Sequence, residues 1–450
     1  MKLNSHGFGI IPYFCNSKYM KNSGSKLTIY ILIAMIIGAV VGQIIYTNLP
    51  EIGSATNLKG ELNNQYASYF KILTTIFLRL VQMIIAPLVI TTLIVGIAKM
   101  GNLSAIGRVG GKSMLWFFTA SLISLLLGLV LVNFFEPGKG MNLGNLAANA
   151  KSVDELVQKT ESFSINHFIE HLFPKSLFQA LAENEILQIV IFSIFFGIAL
   201  ASLGKTGESL VTALDKISKV ILKMVGYVMN FAPFGVFGGI AAIICTKGLG
   251  ILTVYRDYLL SFYTGIFILW LILLLVGWFI LKNRLMSLIQ SIKNPMMVAF
   301  STTSSEAVFP KLTQELENFG CKKSIVSFIL PLGYSFNLDG SMMYMTFASI
   351  FIAQAYSIPL DLGTQLTMLL VLMLTSKGIA GVPRASLVVV AATCTMFKIP
   401  AEGIALILPI DHFCDMGRSM TNVLGNALAT TAVSKWEGQL LPEGVTEEQE

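Results

Sequence analysis

Long uncharged runs alternate with short polar links along this chain, and the first run sets the scale. Leu27 to Tyr46 (LTIYILIAMIIGAVVGQIIY) carries no charge and as a helix is long enough to cross a bilayer's hydrocarbon layer, which takes ~20 residues. Further runs predict spans at about Phe70 to Ala98, Ser113 to Phe135, Ile186 to Leu203, Leu214 to Ala241 and Tyr258 to Ile280. After Leu285 the apolar stretches are interrupted in the middle by small and polar residues. Two interruptions resemble each other. TTSSEAVFP (Thr302 to Pro310) precedes ILPLGYSFNLDG (Ile329 to Gly340), and TSKGIAGVP (Thr375 to Pro383) precedes ILPIDHFCDMGR (Ile407 to Arg418). Each is a Ser/Gly-rich tip ending in Pro, then an apolar helix with Ile-Leu-Pro, then a polar intramembrane motif. Such a weak two-fold repeat marks transporters built from inverted repeats. Non-helical backbone survives at membrane depth only when it is buried in protein or lines a watery cavity. The tips therefore read as two re-entrant hairpins, against the alternative of two Pro/Gly-kinked helices. A last span is expected at about Ile404 to Val433.

Composition agrees with this pattern: 54% of the 450 residues are hydrophobic and 12% charged, where a soluble domain has about a quarter charged. The class is an all-α polytopic membrane protein, which excludes most soluble enzymes. A net charge of +6 does not point to nucleic acid, because the basic residues sit singly in short loops. They report topology instead. Lys2, Lys18, Lys21 and Lys26 precede the first span without an acid, so residues 1–26 are expected to be a cytoplasmic segment followed by a retained first helix. Lys99, Arg108 and Lys112 then fall inside, Glu136 to Glu185 with seven acids against four lysines outside, and Lys282, Arg284 and Lys293 inside again. Five scattered cysteines (Cys15, Cys245, Cys321, Cys394, Cys414) form no disulfide or metal pattern and read as packing residues. His167 and His171 have helical ligand spacing but no third ligand nearby, so a solvated surface is the better reading.

Two intramembrane clusters carry the chemistry. Asn337-Leu338-Asp339-Gly340-Ser341 lies inside the apolar stretch Ser324 to Ala355, where an aspartate costs ~2.5 to 3.5 kcal/mol on insertion scales. Gly340 permits a helix break whose freed carbonyls, with Asp339 and Asn337, form oxygen ligands for a hard cation. A self-satisfied polar cluster is the alternative. The last span concentrates Asp411, Asp415, Arg418, Ser419, Asn422 and Asn426, and helical spacing puts Asp411, Asp415, Arg418 and Asn422 on one side. An intramembrane guanidinium suits a carboxylate ligand and a neighbouring aspartate suits an ammonium. The competing reading is an ion pair of Arg418 with Asp411 or Asp415 that neutralises itself. An intramembrane aspartyl protease is disfavoured because GxGD is missing and Arg418 would disturb a shared-proton dyad. A passive channel remains as an alternative that equilibrates its solute without concentrating it.

TTSSEAVFP at Thr302 to Pro310, PLGYSFNLDG at Pro331 to Gly340, SKGIAGVP at Ser376 to Pro383 and DMGRSMTNVLGN at Asp415 to Asn426 together resemble the dicarboxylate/amino acid:cation symporter family, the glutamate and aspartate transporters. The likeness runs from the first span to Trp436-Glu437-Gly438. It implies eight transmembrane helices plus two re-entrant hairpins in an elevator fold, assembled as a homotrimer in the bilayer. Residues 27–98 and 186–246 would be scaffold, 108–135 and 253–438 a transport part that moves across the membrane, 136–185 an extracytoplasmic loop and 439–450 an acidic tail. The second hairpin would be the outer gate. Arg418 corresponds to the arginine that holds the substrate side-chain carboxylate, and Asp415 to the aspartate that holds its amino group. Ser304, Ser305 and the backbone at Ala380, Gly381 and Val382 would meet the α-carboxylate, with Ser419 and Asn422 lining the site. Ser335, Asn337, Asp339, Asn422 and Asn426, with backbone at Gly333, Ser376 and Gly378, match cation-ligand positions. No cofactor is implied beyond sodium ions or protons as coupling ions.

Some positions depart from the family pattern. Asn426 stands where sodium-coupled members often have an aspartate, and Met345 where animal members carry a proton-accepting glutamate. Ala120 replaces a hydroxyl in the third span, leaving Thr119 and Ser121 as neighbours. Glu306 replaces a serine in the first tip and is a candidate proton carrier or gate residue. The resemblance implies uptake of glutamate or aspartate, with a C4-dicarboxylate carrier as the sister reading. Members specialised for C4-dicarboxylates usually lack an aspartate at the position of Asp415. Composition and resemblance together imply a prokaryotic inner membrane with both termini cytoplasmic.

Overall fold

The apolar runs form helices, since a bilayer leaves every backbone amide to find its partner within the segment. The computed structural model describes residues 17–48, 58–100, 103–139, 173–250, 255–376, 385–400, 403–408, 410–443 and 445. Its helices are α1 (Ser17–Asn48), α2 (Leu58–Met100), α3 (Leu103–Phe135), α4 (Leu177–Glu183), α5 (Ile186–Ser202), α6 (Glu208–Met229), α7 (Ala232–Lys247), α8 (Arg256–Leu281), α9 (Arg284–Thr302), α10 (Phe309–Phe319), α11 (Lys323–Phe336), α12 (Asp339–Ala355), α13 (Leu362–Thr375), α14 (Ala385–Met396), α15 (Ile404–Ile407) and α16 (Asp411–Trp436). The described residues hold no strand, only a single bridge between Cys321 and Leu440.

Four of these helices have a stretch long and apolar enough to cross a membrane: Ile29–Asn48, Leu62–Ala98, Ser104–Phe135 and Arg256–Leu281. The span expected at Leu214 to Ala241 is not one straight helix. It is α6 and α7, bent by 48° across Asn230 and Phe231. Pro233 in the first turn of α7 explains the corner, because proline has no amide to donate and disfavours a helical residue before it. The final span is also interrupted, with α15 ending at Ile407 and α16 starting at Asp411. The loop from Gly138 to Asn184 contains α4, while His167 and His171 lie outside the described residues, as does Cys15. The other four cysteines are buried thiols.

Two packing groups emerge. In the first, α7 lies along α1 and α2, and α2 also carries α5 and α6. Small residues permit this close approach: Cβ atoms added at Gly38 and Gly42 of α1 would meet the carbonyls of Phe237 and Ala241 at 2.8 and 2.7 Å. In the second, α16 is wrapped by α8, α9, α11 and α12, with α3 against α12. The groups touch where α2 meets α11, and where Lys323 Nζ binds Asp215 Oδ1 and Ser218 Oγ, both at 2.8 Å.

Where the first hairpin is expected, α9 and α10 pack on each other. Arg284, the first residue of α9, donates to the carbonyl of Phe319, the last of α10, at 2.8 Å. The chain therefore returns to where it started. At the tip Thr303 takes the left-handed region (φ 51°) and Glu306–Val308 forms a short 3-10 turn. In the second pair, α13 and α14 pack on each other and on α12, while 377–384 lie outside the described residues. The expected acidic tail begins as a strap: Leu441 N donates to Gly320 O, Lys322 N to Gln439 O, and Arg284 Nη1 to Leu441 O.

Candidate functional site

Asn337 and Leu338 leave helical geometry (φ −119°, ψ 67° and φ −105°, ψ 60°), which separates α11 from α12 at the point Gly340 and Asp339 indicate. The break is fully enclosed: Asn337 and Asp339 are 0% exposed and Ser335 1%. Asn337 Nδ2 donates to Asp339 Oδ2 (3.4 Å) and to Asn426 Oδ1 (3.3 Å) on α16. Ser335 Oγ and Asn337 Oδ1 have no hydrogen-bond partner among the described residues. Buried polar atoms are ordinarily partnered, and carboxyl, amide and hydroxyl oxygens are the donor chemistry that hard cations take. Gly425 and Gly333 make the cluster possible, because a Cβ at Gly425 would collide with Asp339 Oδ2 and one at Gly333 with Asn426 Oδ1.

Asn422, expected as both substrate and cation contact, has a defined structural task. Its Oδ1 accepts from Gly340 N (2.9 Å) and Ser341 N (3.4 Å), and its Nδ2 donates to Ser341 Oγ (3.1 Å). It caps the orphan amides at the start of α12. Of the two α3 hydroxyls beside Ala120, Ser121 reaches the break, donating to Phe336 O at 3.4 Å. Thr119 bonds its own helix at Leu115 O. Met345 is buried in the apolar core.

One turn before Asn422, the guanidinium of Arg418 is held on three sides. Nη2 lies 2.8 Å from Asp415 Oδ1 and 3.7 Å from Asp411 Oδ1, and Nε donates to Asp415 Oδ1 at 3.2 Å. The ring of Tyr344 sits 4.1 Å beneath it, and the Tyr344 hydroxyl donates to Asp411 Oδ1 at 2.8 Å. Nη1 has no hydrogen-bond partner among the described residues, although the residue is 2% exposed. Ser419 Oγ donates to Asp415 Oδ1 at 3.3 Å. Tyr344 was not legible as a site residue, since nothing in a buried aromatic five positions after Asp339 distinguishes it from core packing.

Ser304, Ser305 and Glu306 are half-buried at the first tip, where Ser304 Oγ accepts from Ala307 N at 3.2 Å. Ser376 is buried at the end of α13 and donates to Met373 O. Gly378, Ala380, Gly381 and Val382 lie outside the described residues. The structure thus brings together Ser335, Asn337, Asp339 and Asn426 at the break, and Asp411, Asp415, Arg418 and Ser419 along one side of α16.

Comparison with known proteins gives one consistent answer. The profile of the sodium:dicarboxylate symporter family matches residues 27–436. The chain is 38% identical over 411 residues to the proton/sodium-glutamate symport protein of Geobacillus stearothermophilus, covering 91% of this chain and 94% of that protein. It is 36% identical to the C4-dicarboxylate transport protein of Bacillus subtilis, covering 92% and 94%. With the C4-dicarboxylate transport protein of Rhizobium etli the identity is 39%, covering 94% and 92%.

Proposed function

The chain belongs to the sodium:dicarboxylate symporter family, and from that membership we propose that it takes up glutamate or aspartate by symport with sodium ions or protons. The observation that carries the substrate class is the buried Arg418, held by Asp415 and Asp411 while Nη1 has no partner among the described residues. A substrate carboxylate supplies that partner. When it binds, Asp415 is released to an incoming ammonium, so the two charges of the resting pair are exchanged for the two complementary charges of an acidic amino acid. Members of the set with C4-dicarboxylate names support the sister reading, in which no ammonium replaces Arg418 on Asp415.

Charge balance supplies the reason for coupling. Asp339, Asp411 and Asp415 already outnumber Arg418 in a buried region, and an acidic substrate adds negative charge. An unpaired charge there is costly, and a cation carried with the substrate offsets it. Ser335, Asn337, Asp339 and Asn426, with backbone at Gly333, are the proposed sodium ligands, joined by Ser376 and Gly378. Asn426 brings an oxygen but no charge, so retained sodium sites are weaker than with an aspartate there. Glu306 at the first tip is the proposed proton carrier.

The contact pattern supports α1, α2 and α5–α7 (within 27–98 and 186–246) as scaffold, and α3 with α8–α16 (108–135 and 253–438) as the part that moves in an elevator. Eight spans with two hairpins, a homotrimer, and an inner-membrane location with cytoplasmic termini complete this reading. Its test is uptake of labelled aspartate into proteoliposomes under separately imposed sodium and proton gradients. Concentrative uptake under either gradient fits symport, whereas mere equilibration under both makes the protein a channel.

A further inference from the structure

A cavity of about 660 Å³ opens between α2 and the α4–α5 corner, away from the break and from Arg418. Arg79, Gln82, Met83 and Pro87 line one side, Leu181, Ala182 and Asn184 the other. Arg79 lies in the run ILTTIFLRLVQMIIAPL of the Leu62–Ala98 stretch, which at 37 residues is longer than the ~20 that a hydrocarbon layer takes. It is exposed and has no ion-pair or hydrogen-bond partner among the described residues. A guanidinium at that position of an apolar helix is costly unless an anion or water meets it.

Two residues of the same lining carry acceptors. Pro87 has no amide, so the Met83 carbonyl lacks the i+4 donor that an α-helix normally supplies. Asn184 closes α4 in the left-handed region (φ 55°), and its buried Oδ1 has no hydrogen-bond partner among the described residues. The apolar helix α5 begins two residues later at Ile186. The start of an apolar span marks the local boundary between headgroups and acyl chains. The cavity lining therefore combines one cation, a carbonyl without its usual helical donor, an amide oxygen without a partner among the described residues, and apolar walls at headgroup level.

We propose that this cavity binds the headgroup of an anionic glycerophospholipid bearing hydroxyl donors, of the phosphatidylglycerol type. The phosphate pairs with Arg79, as basic pockets between membrane helices hold such groups. The headgroup hydroxyls donate to Met83 O and Asn184 Oδ1, and the acyl chains run down the Met83, Ala86 and Ile90 side of α2. Phosphatidylcholine carries the phosphate but neither the net charge nor the donors, so it fits poorly.

The test is thermal unfolding of the full chain in detergent with added dioleoyl-phosphatidylglycerol or dioleoyl-phosphatidylcholine. Phosphatidylglycerol raises the melting temperature of the parent by several degrees more than phosphatidylcholine does. Arg79→Gln removes that difference. Ala182→Trp, which fills the cavity from its exposed rim and keeps the charge, removes it too, so the inference survives if Arg79→Gln fails to fold. Arg256→Gln, an exposed cation outside the cavity, leaves it intact. Equal protection by both lipids overturns the proposal, as does a full phosphatidylglycerol effect in Arg79→Gln or Ala182→Trp. Equal protection by inorganic phosphate also overturns it, in favour of a soluble anion. Loss of oligomer size in Ala182→Trp with an unchanged lipid effect assigns the cavity to a subunit contact and likewise overturns it.

Discussion

Helices α8 and α16 are both 26 residues long, yet they solve opposite problems. The first, apolar along its length, buries nine residues and turns Phe267, Leu271, Leu275 and Phe279 outward. The second carries Asp411, Asp415, Arg418, Asn422 and Asn426 and buries twenty residues. In water the apolar helix would be the enclosed one. In lipid the ordering reverses, because acyl chains solvate α8 at no cost while every polar group of α16 needs a protein partner. The more polar of the two helices is therefore the enclosed one, and it carries the candidate substrate and cation groups.

The largest effect is expected where α16 loses its charge. Arg418→Ala should lower the affinity for acidic substrates by roughly 100-fold or more, following the ~3–5 kcal/mol of a broken buried pair. Calorimetric titration of the purified variant with aspartate measures this, and an unchanged affinity removes Arg418 from the site. A smaller effect tests packing at the cation cluster. Gly425→Ala places a methyl against Asp339, and overpacking of this kind costs ~1–3 kcal/mol. Its melting temperature should fall, together with any stabilisation by sodium, and full retention of both would show that the cluster is loose.

At the C-terminal end of α16 the comparison turns on solvent. Glu437 receives a hydrogen bond from Arg108 Nε at 2.8 Å and an ion pair from Lys112 at 2.6 Å. The Arg108 hydrogen bond, with Lys112 adding to it, holds the Glu437 carboxyl below the usual glutamate range. The stabilisation is therefore present above the ordinary value of ~4.3 and is lost as pH falls through the depressed folded value. Glu437→Gln should lower stability at neutral pH and flatten its decline on acidification. An unaltered acid profile would count against the pair. The smallest effect belongs to α8: Phe267→Ala, on the lipid face, should change stability by only about 0.5 kcal/mol. A large loss measured by thermal unfolding would show that this face is covered by protein.

Much of this contrast was legible in the sequence, because lipid exposure and polar intramembrane residues are both written in hydropathy. The runs at Leu27, Ser113 and Tyr258 foretold α1, α3 and α8, and the break at Asn337 followed from an aspartate and a glycine inside an apolar stretch. The corner between α6 and α7 was missed because Pro233 sits inside an otherwise continuous apolar run, and hydropathy carries no directional information. The hold of Tyr344 on Arg418 and Asp411 was equally invisible, since a tertiary contact between helices α12 and α16 leaves no periodic trace. Asn422 was legible as a candidate site residue, but its capping of α12 required the three-dimensional register of Gly340 and Ser341 against α16.

The central claim is that the resting Arg418–Asp415 pair is exchanged for the two charges of an acidic amino acid. The most direct measurement is the affinity of Asp415→Asn for aspartate and for succinate, obtained by calorimetric titration of one purified preparation. The exchange predicts that aspartate binding collapses, because its ammonium loses its partner, while succinate binding is kept or strengthened. An equal loss for both ligands in a folded protein would contradict it and make Asp415 a structural partner of Arg418.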